Sequence, residues 1–225
     1  MIPWEHLGQA PVPGGGGLEL LRRGGEYSIR LDGAELMNSR AHASEDALGA
    51  LACARVAARE AARVLVGGLG MGYTLRAALR ALGPTARVVV AELVPEVVAW
   101  NRGPLGPLAG NPLMDARVMV READVAAIMR EGAAGYDAIL LDVDNGPEAM
   151  TSASNRLLYH ASGIRTAHAA LRPGGVLAVW SAGGNDRAFV RRAERAGFRV
   201  EAAPLRARGA RGGGHHTVWL ATRAG

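Results

Sequence analysis

The chain has 225 residues, 49% of them hydrophobic and 21% charged, enough for one well-filled α/β domain with a small accessory element and too few for two full domains. Its net charge of +5 comes entirely from arginine, since the sequence contains no lysine, which excludes Schiff-base chemistry and a lysine-bearing phosphate loop. No apolar run reaches the roughly 18 residues that cross a bilayer, and the Pro- and Gly-rich start has no secretion-signal pattern, so a cytoplasmic protein with no membrane partner is expected.

In chain order, Leu18–Leu21 and Tyr27–Leu31 read as two strands joined through Arg23-Gly24-Gly25, followed by a helix over about Ser44–Ala58. Glu45 and Asp46 open that helix, where the dipole favours acids; if the helix roofs a site, they complete an acidic, substrate-binding pocket. Cys53, the single cysteine, lies on this Ala/Leu-rich stretch and reads as a buried small side chain. Residues 1–60 form an accessory hairpin and helix ahead of a catalytic unit over 61–225.

From Arg63 onward, β-branched runs alternate with segments of helical period, the signature of βαβ units and a mostly parallel, doubly wound α/β sheet of seven strands. Five strands fall at Arg63–Gly67, Arg87–Glu92, Arg117–Val120, Tyr136–Asp142 and Val176–Ser181. Phe198–Ala203 and Thr217–Thr222 form a closing pair with no helix between them, which makes the last strand antiparallel. Helices fit Gly72–Leu82, Pro95–Arg102, Val125–Arg130, Ser154–Leu171 and Asn185–Ala196, and Gly103–Asp115 is a loop by composition.

The strongest chemical signal is Val64-Leu65-Val66-Gly67-Gly68-Leu69-Gly70-Met71-Gly72, an apolar strand running into a glycine turn that opens a helix. Such a turn brings backbone close to a ligand and presents unpaired N–H groups. Gly68, Gly70 and Gly72 are spaced for an adenosyl ligand; the residue three after Gly70 is Tyr73, where a nicotinamide-binding loop needs glycine. Glu92 ends the next strand, about twenty residues on, where a carboxylate accepts from both ribose hydroxyls, with Leu93 beside it. Asp124, followed by Val125, follows the third strand and is placed to accept from an adenine amino group, or simply to cap a helix. His215 and His216 lack partners at metal-ligand spacing, so no metal is expected. Arg206, Arg208 and Arg211 form the one local basic cluster, and with arginines otherwise scattered among acids, nucleic acid is not the expected partner.

Val64–Arg76, Ala91-Glu92-Leu93, Arg117–Asp124, Tyr136-Asp137-Ala138-Ile139-Leu140-Leu141-Asp142 and Leu171–Val176 together resemble the spermidine synthase branch of the class I methyltransferase-fold proteins, and Leu31-Asp32-Gly33 resembles the end of that family's N-terminal hairpin. The resemblance implies a Rossmann-like cofactor domain holding S-adenosylmethionine or its decarboxylated form. It also implies that Glu92 holds ribose, Asp124 holds adenine and Asp142 orients or deprotonates an attacking amine. The chain departs from the family pattern at Met71, where an aspartate usually meets the aminopropyl tail, and in the shortened Asp142-Val143-Asp144-Asn145-Gly146-Pro147 turn.

A sulfonium makes its neighbouring carbon electrophilic, so the protein needs only to align a nucleophile and take its proton. Asp142 and Asp144 are the expected catalytic acids, with Asn145 and Tyr159 as further substrate contacts; a turn at Asp144 and a packed aromatic at Tyr159 are the structural alternatives. Three readings follow: aminopropyl transfer to a small-molecule amine; methyl or aminocarboxypropyl transfer, toward which Met71 points; and a non-catalytic adenosyl-binding regulator. A homodimer is the base-rate expectation.

Overall fold

The computed structural model describes residues 2–13, 15–143, 157–182, 186–207, 209 and 212–225. Four strands form an N-terminal antiparallel sheet in sequential order: β1 (Glu5–Pro11), β2 (Gly17–Arg23), β3 (Glu26–Leu31) and β4 (Ala34–Asn38). The sequence predicts only β2 and β3. β1 and β4 escape because they are half-exposed edge strands whose side chains lack an apolar alternation.

Helix α1 (Ala43–Ala54) then leads into the seven-stranded sheet, built from β5 (Arg63–Gly67), β6 (Arg87–Glu92), β7 (Val118–Glu122), β8 (Tyr136–Leu141), β9 (Leu171–Ser181), β10 (Phe198–Arg206) and β11 (His215–Arg223). The spatial order is β10-β11-β9-β8-β5-β6-β7, parallel except that β11 runs antiparallel to both its neighbours. The strand order reverses at β5 and β8, the point where a doubly wound sheet opens a ligand crevice at its carboxyl edge. Helices α2 (Tyr73–Ala81), α3 (Pro95–Arg102), α4 (Val125–Glu131), α5 (Ala161–Ala170) and α6 (Arg187–Arg195) cover the faces.

Alternation along β5 and β8 sends side chains to two separate cores. Val64, Val66, Ala138 and Leu140 join the core shared with α1, α2 and the N-terminal sheet. Leu65, Ile139 and Leu141 join the one under α4, α5 and α6. Every residue of β8 is buried, so the strand holds both its ends rigidly. At the amino end, Asp137 accepts hydrogen bonds from the Arg63 amide at 2.7 Å, Arg59 at 2.6 Å and Arg172 at 3.0 Å. At the carboxyl end lies Asp142.

Three element boundaries differ from the sequence reading. Within the described residues the helix expected over Ser154–Leu171 is interrupted: Leu157 and Leu158 are helical, Tyr159 lies in a turn, and extended His160 caps a separate helix from Ala161. Arg172–Gly175, read as a stop before a strand, is an irregular opening of β9, with its register shift opposite Asp137. The Gly103–Asp115 loop folds into two short 3-10 turns at Gly106–Ala109 and Pro112–Met114.

Candidate active site

The glycine turn after β5 is a run of alternating left-handed residues: Gly68, Gly70 and Gly72 have φ of 87°, 51° and 81°. Side chains are strained there, and a Cβ on Gly68 would collide with the Asp142 carbonyl oxygen. The turn is therefore pressed directly against the end of β8. Asn101 on α3 braces it from outside, its Nδ2 donating to the Gly70 carbonyl at 2.8 Å.

Two cavities meet over this turn. One, of about 150 Å³, is lined by Gly68, Ala91, Glu92, Leu93, Asp124 and Val125, with Ile29 and Leu31 of the N-terminal sheet as its roof. The other, of about 310 Å³, runs between Met71, Tyr73 and Glu45 on one side and Trp180, Ala207 and His216 on the other. Leu36, Met37, Gly70 and Asp142 belong to both walls, so Asp142 stands at the junction. A Cβ on Gly70 would point to within 3.1 Å of Met37 across that shared region.

In the smaller cavity, Glu92 accepts the Leu69 amide on Oε2 and the Val94 amide on Oε1, each at 2.9 Å. Burial raises the Glu92 pKa against the pull of these backbone donors. Asp124 is exposed and caps α4, with Oδ1 accepting the Ala126 amide at 2.7 Å. Leu93 is 41% exposed at the rim, whereas Val125 is buried and packs on Gly67. These residues and the glycine turn are brought together around one cavity.

The larger cavity is acidic. Asp142 is half-buried in the cavity wall and accepts a hydrogen bond from Thr74 Oγ1 at 2.6 Å; loss of solvent pushes its pKa up to about 6, with the Thr74 bond opposing. Burial, followed by the nearby Asp142 charge, pushes Glu45 up to about 7, opposed by the Ser44 hydroxyl at 2.6 Å. Two carboxylates on α1 and β8 thus titrate as a pair. Glu35 adds a third acid to the wall. Among the described residues no arginine lines either cavity, although the chain has 26.

The other expected contacts part company. Asp46 does not line the cavity: both its oxygens take Arg76 Nη2, at 2.6 and 2.8 Å, and Oδ2 also pairs with His42 Nδ1 at 2.7 Å. The helical period turns it away from Glu45 and onto α2. Tyr159 is 1% exposed and packs against Phe189, its hydroxyl donating to the Val143 carbonyl at 3.1 Å, so it fixes the backbone after Asp142 from within the core. Asp144 and Asn145 lie outside the described residues. Tyr73, Trp180, Ser44 and His216 enter the site without having been singled out for it. The signal in their favour is position: Ser44 and Tyr73 open helices, Trp180 lies at the end of β9 and His216 at the start of antiparallel β11.

Among the described residues no group of three or more His, Cys, Asp or Glu is arranged to hold a metal ion, and no helix is long and apolar enough to cross a membrane. No protein-family model and no curated protein sequence matches the chain. Solved structures do. The spermidine synthase of Thermotoga maritima aligns at a TM-score of 0.76 and 16% identity, over 97% of this chain and 73% of the other. A spermidine synthase in complex with the transition state analogue AdoDATO aligns at 0.75 and 16%, over 97% and 72%. A probable spermidine synthase from Corynebacterium glutamicum aligns at 0.61 and 17%, over 97% and 79%. The chain shares the fold of these enzymes over nearly its whole length.

Proposed function

We propose that the chain is a transferase that alkylates a small-molecule amine with the aminopropyl group of decarboxylated S-adenosylmethionine. The observation that carries this reading is the half-buried Glu45–Asp142 pair at the junction of the glycine-turn cavity and a second, acid-lined cavity. The fold neighbour bound to AdoDATO supports the same cofactor class.

The glycine-turn cavity suits adenosine. Glu92 offers two acceptor sites for ribose hydroxyls, Asp124 offers an oxygen toward the base, and the roof of Ile29, Leu31 and Met37 covers the apolar faces. When bound, the sulfonium supplies an electrophilic carbon. Among the described residues the cavity wall carries acids and no arginine, which favours the decarboxylated tail, ending in an ammonium, over the full amino acid, whose carboxylate would meet Glu45 and Asp142. That argument outweighs the pointer from Met71 toward the full methionine cofactor, because Met71 is an apolar wall residue that supplies no cation.

An acceptor enters as an ammonium and must lose a proton before its nitrogen attacks. Glu45 and Asp142 attract the cation, and their raised pKa values match proton uptake near neutrality. Thr74 keeps one Asp142 oxygen occupied and so aims the other. Leu36 and Met37 of β4 exclude water from the junction.

Calorimetry with decarboxylated S-adenosylmethionine, S-adenosylmethionine and methylthioadenosine in one buffer, followed by mass spectrometry of an amine panel, tests the reading. Tighter binding of the decarboxylated form and an aminopropylated amine are expected. Preference for the full methionine form with no amine consumed would reject it.

A further inference from the structure

Glu45 sits behind a buried serine. The Ser44 side chain is fully buried, its hydroxyl lies 2.6 Å from Glu45 Oε2, and His216 Nδ1 lies 2.9 Å from the same Ser44 Oγ. A hydroxyl has one proton to give and lone pairs to accept with. Because Ser44 gives its proton to Glu45, it accepts from His216, which leaves Nε2 with the imidazole lone pair. His216 lines the larger cavity at the start of β11, next to the exposed residues Gly213, Gly214 and His215. Trp180 holds its ring edge-on, with centroids 4.7 Å apart. The reach between α1 and the start of β11 is fixed independently by two backbone bonds, the Ala43 amide to the Ala207 carbonyl at 3.1 Å and the Ala207 amide to the Gly214 carbonyl at 3.0 Å. Among the described residues the groups facing His216 are Ser44 and Glu45 from α1, Trp180 from β9 and Asp142 across the cavity. Burial lowers the His216 pKa, so the ring is neutral and basic when a proton reaches it.

Resting on the alkyl-transfer reading, we propose that Ser44 and His216 form the exit by which the acceptor's proton leaves Glu45 for solvent. The ammonium gives one proton to Glu45, and its nitrogen keeps the electron pair that forms the new carbon–nitrogen bond. With the imidazole in its Nε2–H form, protonated Glu45 donates to Ser44 Oγ while the Ser44 proton passes to Nδ1, and the Nε2 proton leaves to water. The path ends with Nδ1–H, the Ser44 hydroxyl and ionised Glu45, the arrangement the two distances describe. The path resets when the ring turns away from Ser44, loses its Nδ1 proton to water, takes one from water at Nε2 and turns back, while the Ser44 hydroxyl rotates toward Nδ1. One proton has moved from ammonium to solvent and nothing has been oxidised. Both residues act through Glu45, so they position and relay the proton rather than touch the reacting atoms.

The test compares the full chain with Ser44→Ala, His216→Ala and His216→Asn, the last keeping a donor toward Ser44 without a titrating ring. Turnover should fall about 10²-fold in all three, with the amine KM and cofactor Kd unchanged. Added imidazole should restore His216→Ala and leave Ser44→Ala slow. Unchanged turnover in His216→Asn, or a loss without imidazole rescue, overturns the relay. Nitrogen-15 NMR of the unliganded protein reads the same path without turnover: the neutral ring should be Nδ1–H, and Ser44→Ala should abolish that preference. An Nε2–H ring indifferent to Ser44→Ala overturns the relay in an active enzyme. An Nδ1–H ring in a chain that alkylates no amine instead rejects the alkyl-transfer reading and, with it, the role of the exit.

Discussion

Thr74 Oγ1 lies 2.6 Å from Asp142 Oδ2, so the first turn of α2 donates a hydrogen bond to the carboxylate that ends β8. The donor favours the charged form and works against burial. Thr74→Val should therefore raise the Asp142 pKa further, and the acid limb of log kcat/KM against pH should move up by about one unit, the equivalent of one hydrogen bond to a charged group. A pH profile with the acceptor saturating and then limiting checks this.

Asp142→Asn should lower kcat by about 10²-fold or more while leaving cofactor affinity almost unchanged, since Asp142 borders the glycine-turn cavity without gripping the ribose. Glu92→Gln should do the reverse. Loss of its charge weakens two buried backbone contacts and the ribose site, costing about 1.5–3 kcal/mol of cofactor binding. Calorimetry paired with single-turnover rates separates the two.

The same acids weaken the fold at neutral pH. Both Glu45 and Asp142 have folded-state pKa values above their ordinary ones, so the folded chain binds more protons than the unfolded chain between about pH 4 and 7. Their contribution to stability therefore grows as pH falls through that window. Glu45→Gln with Asp142→Asn should stabilise the protein at pH 8 by about 1–3 kcal/mol, with the gain shrinking toward pH 4. Denaturant melts at the two pH values measure the difference.

Asp137 shows the opposite sign. Burial alone would raise its pKa, and the Arg63 amide and the Arg59 and Arg172 guanidinium groups more than offset this, holding it below the usual range. Its stabilisation is present at neutral pH and fades as pH falls below the ordinary aspartate value. Asp137→Ala should cost about 1–3 kcal/mol, because it leaves the Arg63 amide and two part-exposed guanidinium groups without their acceptor.

Gly49 sets the height of Glu45 over the site. A Cβ there would strike the Thr74 carbonyl oxygen and approach Ala77 Cβ to 2.8 Å. Gly49→Ala should push α1 off α2, destabilise the fold by about 1–3 kcal/mol and lower turnover by separating Glu45 from Asp142. Melts and kinetics on one preparation check both effects.

What the sequence makes legible follows from how local each signal is. The glycine turn, Glu92 and Asp124 sit at strand ends whose spacing is written directly in the chain, and the parallel sheet carries them to one edge. Glu45 and Asp46 are adjacent in sequence, and only the rotation of α1 against α2 decides that one faces the cavity while the other pairs with Arg76. Tyr159 reads as helical until the extended His160 places it in the core. Ser44 and His216 are 172 residues apart, and their contact depends on how the β10–β11 hairpin folds back over α1, which no local pattern encodes. β1 and β4 are missed for a related reason: edge strands borrow their order from neighbours.

With no arginine on the described cavity walls, the cavities carry acids while the chain as a whole carries a net +5, so the positive charge lies elsewhere on the molecule. A polycation approaching from bulk solvent is first repelled and then captured. Moderate salt, which damps the outer field over about 10 Å, should therefore speed capture of a multiply charged amine more than that of a singly charged one, while the enclosed acids keep their hold.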